Sequence, residues 1–428
     1  MATMTAASPA RTNRAVIMVS IAAALGGFLF GFDTAIVNGT VDAVKEQFHI
    51  PTAAIGFVVA SALLGCAVGA WFAGPIADRV GRVKVMVVAA VVFIISAIGS
   101  GLAFGPWDLV FWRVFGGLAV GAASVIAPAY IAEVAPAHLR GRLGSLQQLA
   151  IVTGIFASQL VSYGLAQSAG GAEKHFAWGG EAWRWMYMSA VIPALLYGAL
   201  SLRIPESPRY LVRKNRLPEA GAVIDKMIGG DSAAKIKEIQ GSLESGVDKV
   251  KLSALRGTVL GLRPIVWVGI LLSVFQQFVG INVIFYYSAT LWQSVGFSQS
   301  NSLLISTITS ITNIVTTIVA ISLIDRIGRK PLLLIGAAGM VVTLGTMAIC
   351  FSTATGSGSH VTLSPDVGKI ALVAANLYVF AFGMSWGPVV WVMLGEMFNN
   401  TIRATALAVA AAAQWLANWA ISVSFPSL

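Results

Sequence analysis

Two ionisable side chains lie deep in apolar sequence. Asp33 sits in GGFLFGFDTAIVNG, residues 26–39, and Arg113 sits in PWDLVFWRVFGG, residues 106–117. A charge at membrane depth costs at least about 2.5 kcal/mol when nothing compensates it. Opposite signs suggest that the two meet, and the depths of the two residues along their segments agree. A carboxylate beside an arginine releases its proton readily, whereas one that loses the arginine, or becomes dry, retains it. The chemistry on offer is reversible proton binding, linked to any motion that changes the Asp33–Arg113 distance. The alternative is a fixed structural ion pair.

A second set of side chains is polar and neutral: Gln148, Gln276, Gln277, Asn282, Asn313, Gln414 and Asn418 all fall inside apolar stretches. Amides both donate and accept hydrogen bonds, so they suit a ligand made of hydroxyls. Phe30, Tyr286, Trp391 and Trp415 in the same stretches are aromatics of the kind that cover the apolar faces of such a ligand. Amides in membrane helices also bond from helix to helix, and for Asn313 and Asn418 that is the preferred reading. Gly280 and the Gly387–Pro388 pair interrupt their segments, as binding sites near the bilayer midplane require.

The elements that position these residues are membrane spans. The chain has 428 residues, 57% hydrophobic and 11% charged, where a soluble domain carries about a quarter charged. A crossing helix needs about 20 apolar residues. Eleven segments qualify, at roughly 15–37, 52–73, 84–105, 109–132, 144–166, 184–203, 264–291, 301–323, 331–353, 368–393 and 402–425. The first is too long for a signal-peptide core and is read as a retained span. The net charge of +10 is not gathered in one patch, so nucleic acid is not indicated. With the N-terminus inside, the inner loops hold Arg79, Arg82, Lys84, Arg140, Arg142, Arg326, Arg329, Lys330 and Arg403, and the outer loops hold only Lys45, Lys174, Arg184 and Lys369. This is the positive-inside pattern. The two cysteines, Cys66 and Cys350, have no metal or disulfide spacing. No glycine loop followed by Lys-Ser/Thr is present, so an ATP-driven pump is not indicated.

The chain repeats itself. DRVGR (Asp78–Arg82) follows the second span and DRIGR (Asp325–Arg329) follows the eighth. Glu133 precedes Arg140 by seven residues after the fourth span, and Glu396 precedes Arg403 by seven after the tenth. Spans 1–5 thus match spans 7–11. The expected organisation is a cytoplasmic segment 1–14, a six-helix half 15–203, a cytoplasmic linker with short helices 204–263, and a second half 264–428. The repeat calls for a twelfth span beyond Leu428, so the chain is expected to be truncated relative to its fold. Asp78, Arg79, Arg82, Glu133 and Arg140 in one half, and Asp325, Arg326, Arg329, Glu396 and Arg403 in the other, have charges suited to ion pairs that close one end of a central path. Gly65 and Gly69, and Gly117 and Gly121, are spaced for close helix packing.

These motifs, with PESPRYL (Pro205–Leu211), QQFVGINVIFYY (Gln276–Tyr287) and WGPVVWVMLGEMF (Trp386–Phe398), resemble the sugar porter family of the major facilitator superfamily across nearly the whole chain. The resemblance implies an all-α membrane protein with two pseudo-symmetric six-helix halves. It implies sugar ligands at Gln148, Gln276, Gln277, Asn282, Trp391 and Gln414, with Phe30, Tyr286, Asn313, Gly387 and Trp415 nearby. Glu206 and Arg209 join the gate charges. A carboxylate at the place of Asp33 resembles the proton-coupled members. The expected function is a plasma (inner) membrane monosaccharide:proton symporter, bacterial in type and monomeric, with no cofactor besides the coupling proton. The expected sugar is a hexose or a pentose; a passive facilitator and a non-transporting sugar sensor are the alternative functions.

Overall fold

Each D-R-x-G-R motif ends one long helix and starts the next. The computed structural model describes residues 9–136, 139–244, 255–294, 296–354, 363–398 and 402–427. Helix α3 (Thr52–Val80) stops where α4 (Arg82–Gly101) begins, with Gly81 alone between them at φ +105°. A later pair, Gln299–Ile327 and Arg329–Ser352, meets in the same way at Gly328, φ +91°. Such a φ disfavours any side chain, and at Gly81 a Cβ would also stand 2.3 Å from Glu206 Oε2.

In chain order the first half contains α1 (Pro9–Ile36), a 3-10 turn (Val37–Gly39), α2 (Val41–Gln47), α3, α4, α5 (Pro106–Val134), α6 (Arg140–Ala169), α7 (Ala182–Ser189) and α8 (Val191–Ser201). The short helices α9 (Pro208–Arg213), α10 (Leu217–Met227) and α11 (Ser232–Glu244) follow. The second half contains α12 (Pro264–Phe278), α13 (Ile281–Ser294), α14 (Gln299–Ile327), α15 (Arg329–Ser352), α16 (Pro365–Gly383), α17 (Trp386–Met397) and α18 (Arg403–Ser424). Ten segments among the described residues are long and apolar enough to cross a membrane. The expected span 184–203 is not one of the ten, and there the chain forms two helices, α7 and α8, parted at Ala190. Pro193 has no N–H for the Ser189 carbonyl, which weakens the helix there.

Two further spans are broken. Gly280, φ +86°, parts α12 from α13. Met384 and Ser385 part α16 from α17, where Pro388 cannot donate to the Met384 carbonyl. Both breaks lie at or beside the glycine and proline residues expected to make them.

The bundle has a basic end, with the D-R-x-G-R turns and α9–α11, and a far end, with α2 and residues 102–105, 170–181 and 296–298. Small residues let the helices approach closely. A Cβ on Gly65 or Gly69 would stand 2.1 Å from the carbonyl oxygen of Val114 or Leu118. A Cβ on Gly117 or Gly121 would stand 2.1 Å from that of Ala62 or Cys66. The backbones of α3 and α5 therefore interlock in both directions, and this packing holds α5, with Arg113, at its depth. Gly117→Val is expected to cost about 3 kcal/mol or more through overpacking, read as a lower melting temperature of the purified protein. Gly164→Val, where an added Cβ meets nothing within 4 Å, is expected to leave it unchanged.

Candidate functional site

The structure brings Asp33 and Arg113 together. Arg113 Nη1 donates to Asp33 Oδ1 at 2.7 Å and lies 3.5 Å from the Asp33 carbonyl oxygen. Asp33 is 8% exposed and Arg113 4%. The guanidinium is only partly satisfied: its Nε has no hydrogen-bond partner. Its other close neighbour is the ring of Tyr187 on α7, with the centroid 5.5 Å from Cζ. A buried ion pair with an orphan N–H is held less firmly than a fully bonded one.

The amides converge around the two broken spans of the second half. Gln276, at the end of α12, is the hub. Its Nε2 donates to the carbonyls of Trp386 at 2.8 Å and Gly387 at 3.2 Å, beside the α16–α17 break. Its Oε1 accepts from Gln414 at 2.6 Å and from Gln277 at 3.4 Å. Asn282, just past the α12–α13 break, donates to Gln277 Oε1. Gln414 keeps one buried oxygen without a partner. Tyr286 lies beside Asn418. Phe30 of the first half meets Trp415 of the second edge-on, with ring centroids 5.4 Å apart. Gln148 on α6 is half-buried, and Trp391 on α17 is 43% exposed. Asn313 stands apart from the hub: its Oδ1 faces Gly383 on α16. The helix breaks explain this convergence, because an interrupted helix exposes carbonyls and aims neighbouring side chains inward.

A polar seam joins the halves at the far end, and it includes residues that sequence reasoning did not single out. Asn38 and Gln159 bond each other at 2.9 Å. Asn38 Oδ1 accepts from Ala289 N at 2.8 Å, and Gln159 Nε2 donates to Phe285 O at 3.3 Å. Ala289 N and Phe285 O are i and i−4 partners along α13, so the amide pair bonds both groups of a single rung of that helix. Asp42 accepts from Thr290 at 3.1 Å and Gln293 at 2.9 Å. Burial lifts the Asp42 carboxyl above the ordinary carboxylate range, against the pull of the Thr290 bond and of Lys45. Gln299 adds bonds to Ala172 N and Glu173. These hydrogen bonds join the two halves at the far end of the bundle.

At the basic end the repeat is visible in bond geometry. Arg82 forms a fork with Glu133, at 3.1 and 2.9 Å, and donates to the carbonyl five residues earlier, Ala77. Arg329 forms the same fork with Glu396, at 3.0 and 2.8 Å, and donates to Ile324, again five residues earlier. Asp78 pairs with Arg82 and with Arg213 of α9. Glu206 accepts from the backbone N–H groups of Arg82 and Ser207. Arg79 and Arg326 are exposed, and Arg209 is half-buried on α9. The described partners of Glu133 and Glu396 thus come from their own halves, not from across the path. The side chains of Arg140, Asp325 and Arg403 lie outside the described residues. Among the described residues no group of three or more His, Cys, Asp or Glu could hold a metal ion.

Paired helix sets and broken helices beside an amide cluster are the features of a membrane transporter of the major facilitator fold. The chain belongs to the family described as sugar (and other) transporter, whose family model matches residues 19–428. It is 58% identical over 414 residues to a glucose transport protein of Synechocystis sp., covering 96% of this chain and 88% of that protein. It is 38% identical over 440 residues to the D-xylose-proton symporter of Escherichia coli K12, covering 96% and 86%. The solved structure of the xylose transporter XylE from E. coli in a partially occluded inward-open conformation matches with a TM-score of 0.80 at 36% identity, covering 96% of this chain and 92% of that one.

Proposed function

We propose that this protein is a monosaccharide:proton symporter of the plasma (inner) membrane that works by alternating access. The observation that carries the reading is the buried Asp33–Arg113 pair, 2.7 Å apart, with Asp33 on α1, the helix that also carries Phe30 and runs into the turn of Asn38. Asp33 takes the coupling proton and Arg113 tunes its release. Gln148, Gln276, Gln277, Asn282, Trp391 and Gln414 bind the sugar, with Phe30, Tyr286, Gly387 and Trp415 beside it; Asn313 supports α16. The basic end faces the cytoplasm, in keeping with its arginine and lysine content, and the far-end seam closes the outer mouth. The charges at the basic end serve the inner gate: Arg82 and Arg329 each brace a helix end, so that the two halves rock as rigid bodies. The names of the relatives support a sugar and a proton as the cargo.

The test is uptake of a panel of labelled hexoses and pentoses into proteoliposomes, with and without an imposed pH gradient. A monosaccharide that accumulates only with the inward proton gradient is the expected result. Uptake that reaches the same level without the gradient identifies a passive facilitator, and binding without flux identifies a sensor.

A further inference from the structure

We propose that Tyr187 is the positioning residue that ties the charge state of the Asp33–Arg113 pair to the far-end seam. The inference rests on the symport reading of that pair. Tyr187 is 5% exposed and has two functional faces. Its ring lies 5.5 Å from the Arg113 Cζ, beside a guanidinium whose Nε has no other partner. Its hydroxyl lies 3.0 Å from Thr40 Oγ1, and Thr40 is fully buried. Thr40 Oγ1 is also 3.0 Å from the Val37 carbonyl oxygen. A hydroxyl has one proton to give; when Thr40 donates to Val37, Tyr187 is the donor to Thr40.

The contact chain is short. It runs from Asp33 to Arg113, then to Tyr187 and Thr40, which joins the turn that carries Asn38 to the start of α2, which carries Asp42. Those two residues hold Ala289, Thr290 and Gln293 of α13. Protonation of Asp33 removes the counter-charge of Arg113 and leaves it the Asp33 carbonyl oxygen, 3.5 Å from Nη1, and the Tyr187 ring, a cation–π contact that strengthens when dry. A guanidinium that leans on the ring loads the Tyr187–Thr40 bond and, through it, the seam. The titratable groups around the pair are Asp33 from α1, Cys66 from α3, Tyr187 from α7 and Tyr286 from α13. Of these only Tyr187 both faces the cation and bonds the seam turn. A buried tyrosine that merely filled the core beside Trp183, 6.1 Å away, would need neither contact.

The experiment compares the full chain with Tyr187→Leu, Tyr187→Phe and Thr40→Ala in proteoliposomes, using labelled D-glucose and D-xylose. Two quantities are read: gradient-driven uptake as a function of external pH, and sugar counterflow without a gradient. Tyr187→Leu is expected to lower gradient-driven uptake about fivefold or more, in the range of coupling energies between sites, with counterflow within about twofold. Its pH midpoint is expected to move acidward by about half a unit or more, because the guanidinium then leans on the carboxylate alone. Tyr187→Phe keeps the ring and is expected to keep the midpoint while losing uptake, and Thr40→Ala is expected to match it. A Tyr187→Leu protein with unchanged midpoint and accumulation overturns the proposal, as does one that loses counterflow and uptake in equal measure. Should Tyr187→Leu not fold, wild-type accumulation by both Tyr187→Phe and Thr40→Ala overturns it. Wild-type vesicles that counterflow sugar yet ignore the gradient overturn the symport reading itself, and this is read before any variant is compared.

Discussion

Asp33→Asn is expected to abolish sugar accumulation against a gradient while leaving sugar exchange in place. A proton gradient of about one pH unit, worth about 1.4 kcal/mol, sustains about a tenfold sugar gradient when one proton moves with one sugar. Without a titrating group at position 33 the accumulation ratio falls to about one. Asparagine keeps the size of the side chain and still offers Arg113 an oxygen, so the 2.7 Å contact has a neutral replacement. The lost charge leaves a buried guanidinium without a counter-ion, which costs about 3–5 kcal/mol when nothing else moves. Some loss of thermal stability is therefore expected as well. Counterflow of labelled sugar, with no gradient to exploit, separates the two effects: the variant exchanges sugar and does not concentrate it.

The second large effect is expected at Gln276. Gln276→Leu removes the group that bridges Trp386 O, Gly387 O, Gln277 and Gln414. Two carbonyls lose a donor and two amides lose an acceptor in a site that is 2% exposed at Gln276. Each unpaired buried group costs about 1–3 kcal/mol, and sites built to bond a hydroxyl lose specificity steeply when a bond is missing. Sugar affinity is expected to fall by roughly a hundredfold or more, measured as the KM of uptake or by direct titration. Asn313→Ala is expected to fall by less than about tenfold, since Asn313 bears on Gly383 and α16 rather than on the hub. Equal losses for the two variants would remove Gln276 from the site.

Much of this arrangement is legible in sequence because membrane proteins obey hard constraints. Backbone groups in hydrocarbon must bond internally, so apolar length locates the spans, and Gly280 and Pro388 mark where two of them break. The duplicated D-R-x-G-R turns predict paired bends, and Gly81 and Gly328 sit in them with positive φ. The Asp33–Arg113 contact follows from cost alone, as two lone charges of opposite sign at one depth have little else to meet. Other features depend on how helices turn against each other, which residue types do not reveal. The split of span 184–203 at Ala190 rests on a single proline three residues later. Which half supplies the partner of Glu133 depends on packing, and the charges themselves allow either answer. Tyr187 reads as one more aromatic in a span until its neighbours are known. Gln159 did leave a signal: it lies eleven residues, close to three turns, beyond Gln148 and so on the same face of α6. Asn38, by contrast, acts only because the seam places α13 over it.

The measurement closest to the central claim is the proton that travels with the sugar. In weakly buffered medium, adding sugar to de-energised vesicles or cells that contain this protein is expected to alkalinise the outside, as protons enter with the sugar. The same addition to the Asp33→Asn protein is expected to move sugar without any pH change. Sugar entry through the wild-type protein with no change in external pH would contradict the account.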